Sequence, residues 1–599
     1  MTMSITRRGL CTGAALGMAA VASTSGVAAQ AAEPIEPELF SATVQSARGD
    51  LTASVAFDGD RIAAISIVDP YDTPLIAGAA IADVPQRIIE GQNIEVDVTT
   101  GATFTSMAIV SAVEKCIEAA GLDADAYRKG SDAQEKTTAP DDETDILVIG
   151  SGFAGFAAAI EALRAGAPRV TVVESQAYVG GSSLLSGGGF CSFSSKYNEQ
   201  IGNVLSEDDV IAYFSRGEGA EGEELQLIKN IYAVNADAFE YIVEHGFEID
   251  PDIWTYSREK YGTTPVFWEP GRMDNTWDPG AMESGRIEAL DAMAVELGAD
   301  IRVNTRAVEL IQENGAVVGA RVEGPDSVYD IRAKKTILAT GSFGAASQEF
   351  LEKWSPASVG MLNIGGPGCT GDGIVMAEGC GVPIVGEGGS SSWAVVSMTD
   401  AMYGPVGDLA FRPPLVVGAD CEVIASRVFA EYKDMEGIDN SRRELWRSGG
   451  ASGDDIMAQP DKRAYAVFDS GTSMGLNFQD RCMQAVREGK AERFASIEEG
   501  AQAYGLDSEK LAGLVRDGGL TVAPYFIVPV YAGNSGADMF PQIDSSCRAV
   551  DADGTPVENL YAAGVLAFPS IVVAPGSGMY ACTSYYTGAI AGRAAAAEL

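Results

Sequence analysis

Apolar and polar positions alternate through LTASVAFDGDRIAAISIVD, residues 51–69, with the period of β-strands, and Asp58-Gly59 supplies a hairpin turn between two of them. Downstream, SMAIVSAVEKCIEAAG places apolar residues three and four positions apart and predicts an amphipathic helix. Between them, VDVTTGATFTS crowds four threonines around a Gly-Ala pair. A helix start needs one capping hydroxyl, so Thr103 and Thr105 offer more than capping requires. The polar run 122–143 has no sustained apolar period and predicts a linker. From Thr144 the pattern changes: DILVIGSGFAGFAAAIEALRAGAPRVTVVES reads as buried strand, glycine turn, amphipathic helix and second strand. KTILATGSFG and VENLYAAGV repeat the strand-then-glycine pattern much later.

The chain has 599 residues, too many for one compact core, so several domains are expected. Its formal charge of −43 makes nucleic acid and anionic membrane surfaces poor partners. A single histidine, His245, lies in VEHGFEID at a predicted helix end, which excludes multi-histidine metal sites and points to a structural role. The nine cysteines include no CxxC and no CxxCH, against zinc, iron–sulfur and c-type haem sites, and no metal site is expected. Residues 1–31 carry Arg7-Arg8, then a small-residue apolar stretch and Ala29-Gln30-Ala31, and predict a removable twin-arginine (Tat) export signal. The protein is therefore expected outside the cytoplasm, periplasmic or at the cell surface.

In the 144–174 unit Gly150, Gly152 and Gly155 form a GxGxxG turn, which lets a pyrophosphate reach the helix N-terminus. Glu174 ends the second strand, placed to accept hydrogen bonds from an adenosine ribose. YVGGSSLLSGGGF follows, a Gly/Ser loop suited to lie beside a flavin.

From these segments, with GCTGDGIVMAEGCG and PGSGMYACTSYYTGAIAGRAA, the chain from Thr144 onward resembles the FAD-dependent fumarate reductase and 3-ketosteroid dehydrogenase superfamily. The resemblance implies an α/β fold: a Rossmann-like FAD-binding domain in two parts, 144–381 and 520–599, with an inserted α+β substrate-capping domain at 382–519. It implies non-covalent FAD at Gly150, Gly152, Ala154, Gly155, Glu174, Gly181, Ser182, Ser186, Gly187, Gly188, Thr340, Gly341, Gly564 and Ser577. Residues 38–121 resemble the small α+β FMN-binding domain that accompanies some exported members. There Asp97, Thr100, Gly101, Ala102 and Thr103 match the Dxx(S/T)GAT segment, and the resemblance implies FMN joined covalently to Thr103 by a flavin transferase.

Two flavins imply electrons passing from an external or membrane-bound donor to a small organic acceptor, with reduction of an activated carbon–carbon double bond. Fumarate reductases clamp two carboxylates with histidines and arginines. Here GNSGADMFPQID, from Gly533, replaces their HxMGG-like run, and Pro575 stands where they have an arginine. In RVFAEYKDM, Arg427 and Glu431 match, while Met435 takes the place of the proton-donating arginine. A small dicarboxylate would leave charge unpaired, so a neutral or bulky enone is expected. The ketosteroid branch's tyrosine is Val572 here. Arg412, with Asp408 to poise it, Lys433 and Tyr580 are the candidate proton donors. A steroid-type dehydrogenase, a fumarate- or urocanate-like carboxylate reductase, and an exported electron-transfer protein without turnover stay open as alternatives.

Overall fold

The computed structural model describes residues 38–599 apart from 47–49, 69–73, 129–135, 187–189, 216–218, 250–252, 256–265, 269–278, 387–391, 397–407, 412, 427, 429–450, 472–477, 488, 537–538 and 568–578. The segment expected to be an export signal, residues 1–31, therefore lies outside the described residues. The chain forms two compact units, one of residues up to 133 apart from 73–75, and one of residues 134–599 together with 73–75.

In the first unit, strands β1 (Glu38–Gln45), β2 (Asp50–Asp58) and β3 (Arg61–Val68) form an antiparallel sheet. The β2–β3 hairpin turns at Gly59, whose φ of +64° suits glycine. Alternate β2 residues Leu51, Ala53, Val55 and Phe57 are buried against helices α1 (Pro74–Gly91) and α2 (Thr103–Ala119). The predicted linker needs correction. Tyr127 is buried in this core and its carbonyl accepts from the Ile94 amide at 2.9 Å, so the unit runs past residue 121. At the other end, Thr137–Thr138 and Asp142–Ile149 are strands of the second unit. Thr137–Thr138 was hidden because both residues are exposed and carry no apolar signal, and Tyr127 because it is a single buried residue in a polar run.

The second unit begins with β4 (Asp142–Ile149), α3 (Phe153–Arg164) and β5 (Val170–Val173), which pair in parallel. The central sheet continues through β6 (Asp300–Arg302), β7 (Arg306–Glu313), β8 (Ala316–Glu323) and β9 (Ser327–Leu338), in the order β6-β5-β4-β9-β8-β7. Residues Ile146 to Ile149 of β4 are all buried, as a central parallel strand requires. The strand Pro556–Ala562 pairs in parallel with the end of β9. A C-terminal helix, Met579–Ala597, then packs on α3 so closely that a Cβ at Gly588 would lie 2.2 Å from the Ala154 carbonyl oxygen.

Asp145, buried near the start of β4, accepts from Arg169 Nε at 3.1 Å and pairs with Lys334 Nζ at 2.9 Å. The Arg169 bond first, then Lys334, holds its carboxyl below the ordinary carboxylate range. A depressed folded-state value means stability that is present above the unfolded pKa of about 3.9 and lost as pH falls through the folded one. Asp145→Asn is therefore expected to lose less stability than the parent between neutral pH and about pH 3. Urea midpoints across that range check it, and parallel curves for the two proteins would refute it.

The capping sheet is built on Tyr525–Asn534, which pairs with Arg463–Asp469, Ser392–Val395, Glu492–Phe494 and Leu362–Asn363. Leu415–Val417 and Val423–Ser426 extend it. Its two faces follow the period of two: Ala464, Ala466 and Phe468 join one apolar cluster, Tyr465 and Val467 the other. The expected 382–519 boundary is thus too narrow, because the sheet takes one strand from before it and its central strand from after it. Strand pairing is non-local, and alternation along a segment does not say which sheet the segment joins.

Candidate functional site

The carboxyl ends of β4, β5 and β9 open into a cleft of about 110 Å³. Gly150, Gly152, Ala154, Glu174, Gly181, Ser182, Thr340, Gly341 and Gly564 line it together, from five separate stretches of chain. Gly150 has φ +106°, and a Cβ there would sit 2.3 Å from the Ala339 carbonyl oxygen. Gly155 stands behind the wall, where a Cβ would lie 1.9 Å from the Gly150 carbonyl oxygen. The turn thus stays tight enough to aim the N-terminus of α3 into the cleft. No side chain of the N-cap residue, Gly152, caps that helix, and the Phe153 amide donates to Ser183 Oγ at 3.0 Å.

Glu174 is buried with both oxygens engaged. Oε2 accepts from the Ser151 amide at 3.1 Å and from Ser151 Oγ at 2.6 Å. Oε1 accepts from the Gln176 amide at 2.9 Å and from Ser175 Oγ at 3.2 Å. Those bonds occupy the acceptor sites of a carboxylate, two of them with rotatable hydroxyls. A ribose hydroxyl would enter by displacing the long Ser175 bond. Across the cleft, Arg306 Nε and Nη2 each donate at 2.8 Å to Asp372, at the first turn of the helix Asp372–Gly379. This bidentate pair keeps the Arg306 guanidinium above its ordinary pKa and ties β7 to that helix.

Whether these residues suit FAD is tested by what the cleft leaves unsatisfied. Thr340 Oγ1 is buried on the cleft wall with no hydrogen-bond partner among the described residues. Together with the glycine cradle and an α3 terminus whose N-cap residue is a glycine, it fits a phosphate-bearing dinucleotide.

Not every expected residue falls here. Ser186 ends the short helical turn Gly181–Leu185 and is absent from the described cleft wall. Its amide donates to the Ser183 carbonyl at 3.2 Å and closes the turn. Gly187, Gly188, Ser577, Arg412 and Lys433 lie outside the described residues, as do Arg427, Glu431, Met435, Val572 and Pro575. Tyr580 is half-buried in the first turn of the C-terminal helix, one turn before Ser584, which lines the cleft. No motif announces Arg306, since nothing local marks a strand-end arginine. Asp372 was visible only as part of the TGDG segment.

The first unit presents a separate arrangement. Thr103 is the exposed first residue of α2, and the N-cap position belongs to Ala102, which supplies no side-chain cap. The four threonines divide their work. Thr99 is buried, donating to Asp83 Oδ2 at 2.9 Å and accepting from Arg87. Thr105 is buried in the helix, while Thr100 and Thr103 face solvent. An exposed hydroxyl beside a helix start without a side-chain cap fits a phosphate ester there.

Fold and cleft together define a dinucleotide-binding flavoprotein with a second, smaller flavin domain. The FAD binding domain family matches residues 145–410, and the FMN-binding domain family matches residues 47–118. The chain is 26% identical over 612 residues to the urocanate reductase of Eggerthella lenta, covering 94% of each. It is 23% identical to the NADH:acrylate oxidoreductase of Vibrio harveyi, over 86% of this chain and 57% of that one. In fold it is similar to the open conformation of a flavocytochrome c3 fumarate reductase, with TM-score 0.61 and 22% identity over 76% of this chain and 79% of that one. A 3-ketosteroid delta1-dehydrogenase from Sterolibacterium denitrificans gives TM-score 0.60 and 19% identity over 76% of this chain and 100% of that one. The chain thus carries an FAD binding domain and an FMN-binding domain, with FAD and FMN as its cofactors, and is similar to flavoprotein reductases of urocanate, fumarate and acrylate.

Proposed function

We propose that this protein reduces the activated carbon–carbon double bond of an organic acceptor with electrons received from an external donor, and that the acceptor is a neutral or bulky enone. The observation that carries the acceptor class is the lack of a histidine to hold a dicarboxylate. His245 sits at the exposed end of the helix Gly222–Glu244, stacked on Tyr241 at 4.1 Å with Nδ1 2.7 Å from the Tyr241 carbonyl. It serves that helix end. Bound FAD supplies hydride, and the chain's part is to orient the acceptor and deliver a proton. Arg412, Lys433 and Tyr580 are the donors we propose, Tyr580 being supported by its place one turn before Ser584.

FMN at Thr103 is the proposed electron inlet, installed by a flavin transferase, and the twin-arginine leader supports export and work outside the cytoplasm. A second reading, a urocanate-type carboxylate acceptor, is favoured by the similarity to the urocanate reductase over 94% of both chains. Anaerobic oxidation of reduced viologen by the holoprotein separates the two, using fumarate, urocanate, cinnamate-like acids and neutral enones including steroids. Turnover with neutral enones alone supports the first reading. Turnover with urocanate or fumarate overturns it and means arginines rebuild a carboxylate clamp.

A further inference from the structure

We propose that Val98, Phe104 and Met107 form the seat for the isoalloxazine ring of the FMN carried by Thr103. The inference rests on the reading of Thr103 as the attachment residue and adds where the tethered ring lies.

An amphipathic helix buries one stripe and gives the other to water. Helix α2 buries Thr105, Ser106, Ala108, Ile109, Ala112 and Val113, so its outward positions near the start should be polar. They are Phe104 and Met107 instead, 49% and 58% exposed. Val98, on the loop leading in, is 42% exposed. Among the described residues of the first unit the other large exposed apolar side chain is Val68, so the exposed apolar surface gathers around Thr103. Helical spacing joins Phe104 and Met107 to Thr103, since Thr103 and Met107 are four apart and Phe104 and Met107 three apart, and Val98 precedes Thr99, which is bonded to the start of the helix.

The loop is held in place for the purpose. Arg87 Nη1 donates to the Asp97 carbonyl at 2.7 Å, and the Thr99 amide donates to Ser106 Oγ at 3.0 Å. Val98 is thereby pinned on both sides. The Ala102 amide closes the turn on the Thr99 carbonyl at 2.9 Å, through Gly101 at φ +80°. A flat aromatic ring with a polar edge suits a phenylalanine face and a polarizable thioether. The phosphate end of the same molecule would lie at the helix start, which lacks a side-chain cap.

The test uses purified holoprotein and two readouts. Mass spectrometry of the peptide bearing Thr103 reports attachment, as the mass of one FMN less water. Flavin fluorescence, with Thr103→Ala protein as the blank, reports stacking. Phe104→Ala and Met107→Ser should keep the modified peptide and raise FMN emission about two- to tenfold as stacking is lost. Phe104→Trp should lower it, and Val68→Ser should leave it unchanged. A modified peptide with parent-like emission in all four variants overturns the seat and leaves the patch to a partner protein. An unmodified peptide in the parent overturns the attachment reading and the seat with it. Should Phe104→Ala escape modification, Phe104→Trp and Met107→Ser still decide.

Discussion

Thr103→Ala protein is expected to emerge with its FAD in place and no covalent flavin. The hydroxyl it loses is exposed, is not the N-cap, and belongs to a helix that no side chain caps, so the fold has little reason to miss it. On a denaturing gel the yellow-green fluorescence of the parent band should fall to background, while Thr103→Ser restores it by restoring a hydroxyl. The consequence for electron entry is larger than for structure. A tether holds a carrier at an effective concentration that free FMN cannot match, so donor-driven reduction of the acceptor in whole cells should fall about 10²- to 10⁴-fold. Turnover driven by reduced viologen should survive to the extent that a small dye reaches FAD directly. A fluorescent band persisting in Thr103→Ala would move the attachment to another hydroxyl, Thr100 being the exposed alternative.

The dinucleotide half of the protein was legible because its signals are local. The run DILVIG is apolar throughout, the three glycines follow at once, and Val170–Val173 comes within one helix length, so strand, turn, helix and strand needed no long-range information. The FMN-binding domain was legible for the same reason, its Dxx(S/T)GAT segment lying within seven consecutive residues, 97–103. The capping sheet was not, since Tyr525–Asn534 pairs with strands as near as Glu492–Phe494 and as far as Leu362–Asn363, and none of them names its partner. Arg306 shows the same limit at the scale of one side chain. Its meaning comes from Asp372, which the fold brings to it across 66 residues. Glu174 marks a subtler one: the acid was readable, but not that Ser151, inside the glycine turn, would hold it at 2.6 Å.

Gly155→Ala is expected to produce the complementary protein, with FMN attached and FAD gone. The added methyl carbon would lie 1.9 Å from the Gly150 carbonyl oxygen and 2.8 Å from its carbon, both backbone atoms that no rotamer change can move aside. Relief requires α3 to back away from the turn, and α3 is held from behind by the C-terminal helix through the contact of Gly588 with the Ala154 carbonyl. Overpacking between fixed backbones belongs at or above the upper end of the usual range, about 3 kcal/mol. The damage falls where the cofactor needs accuracy, because Gly150, Gly152 and Ala154 all line the cleft. Visible absorbance of the purified protein should drop to that of the tethered flavin alone, and viologen-driven turnover should vanish. Mass spectrometry of the Thr103 peptide should match the parent, since the first unit has its own core. Retention of both flavins by Gly155→Ala would mean that the turn can open after all, and that close helix–strand contact is not what shapes this cleft.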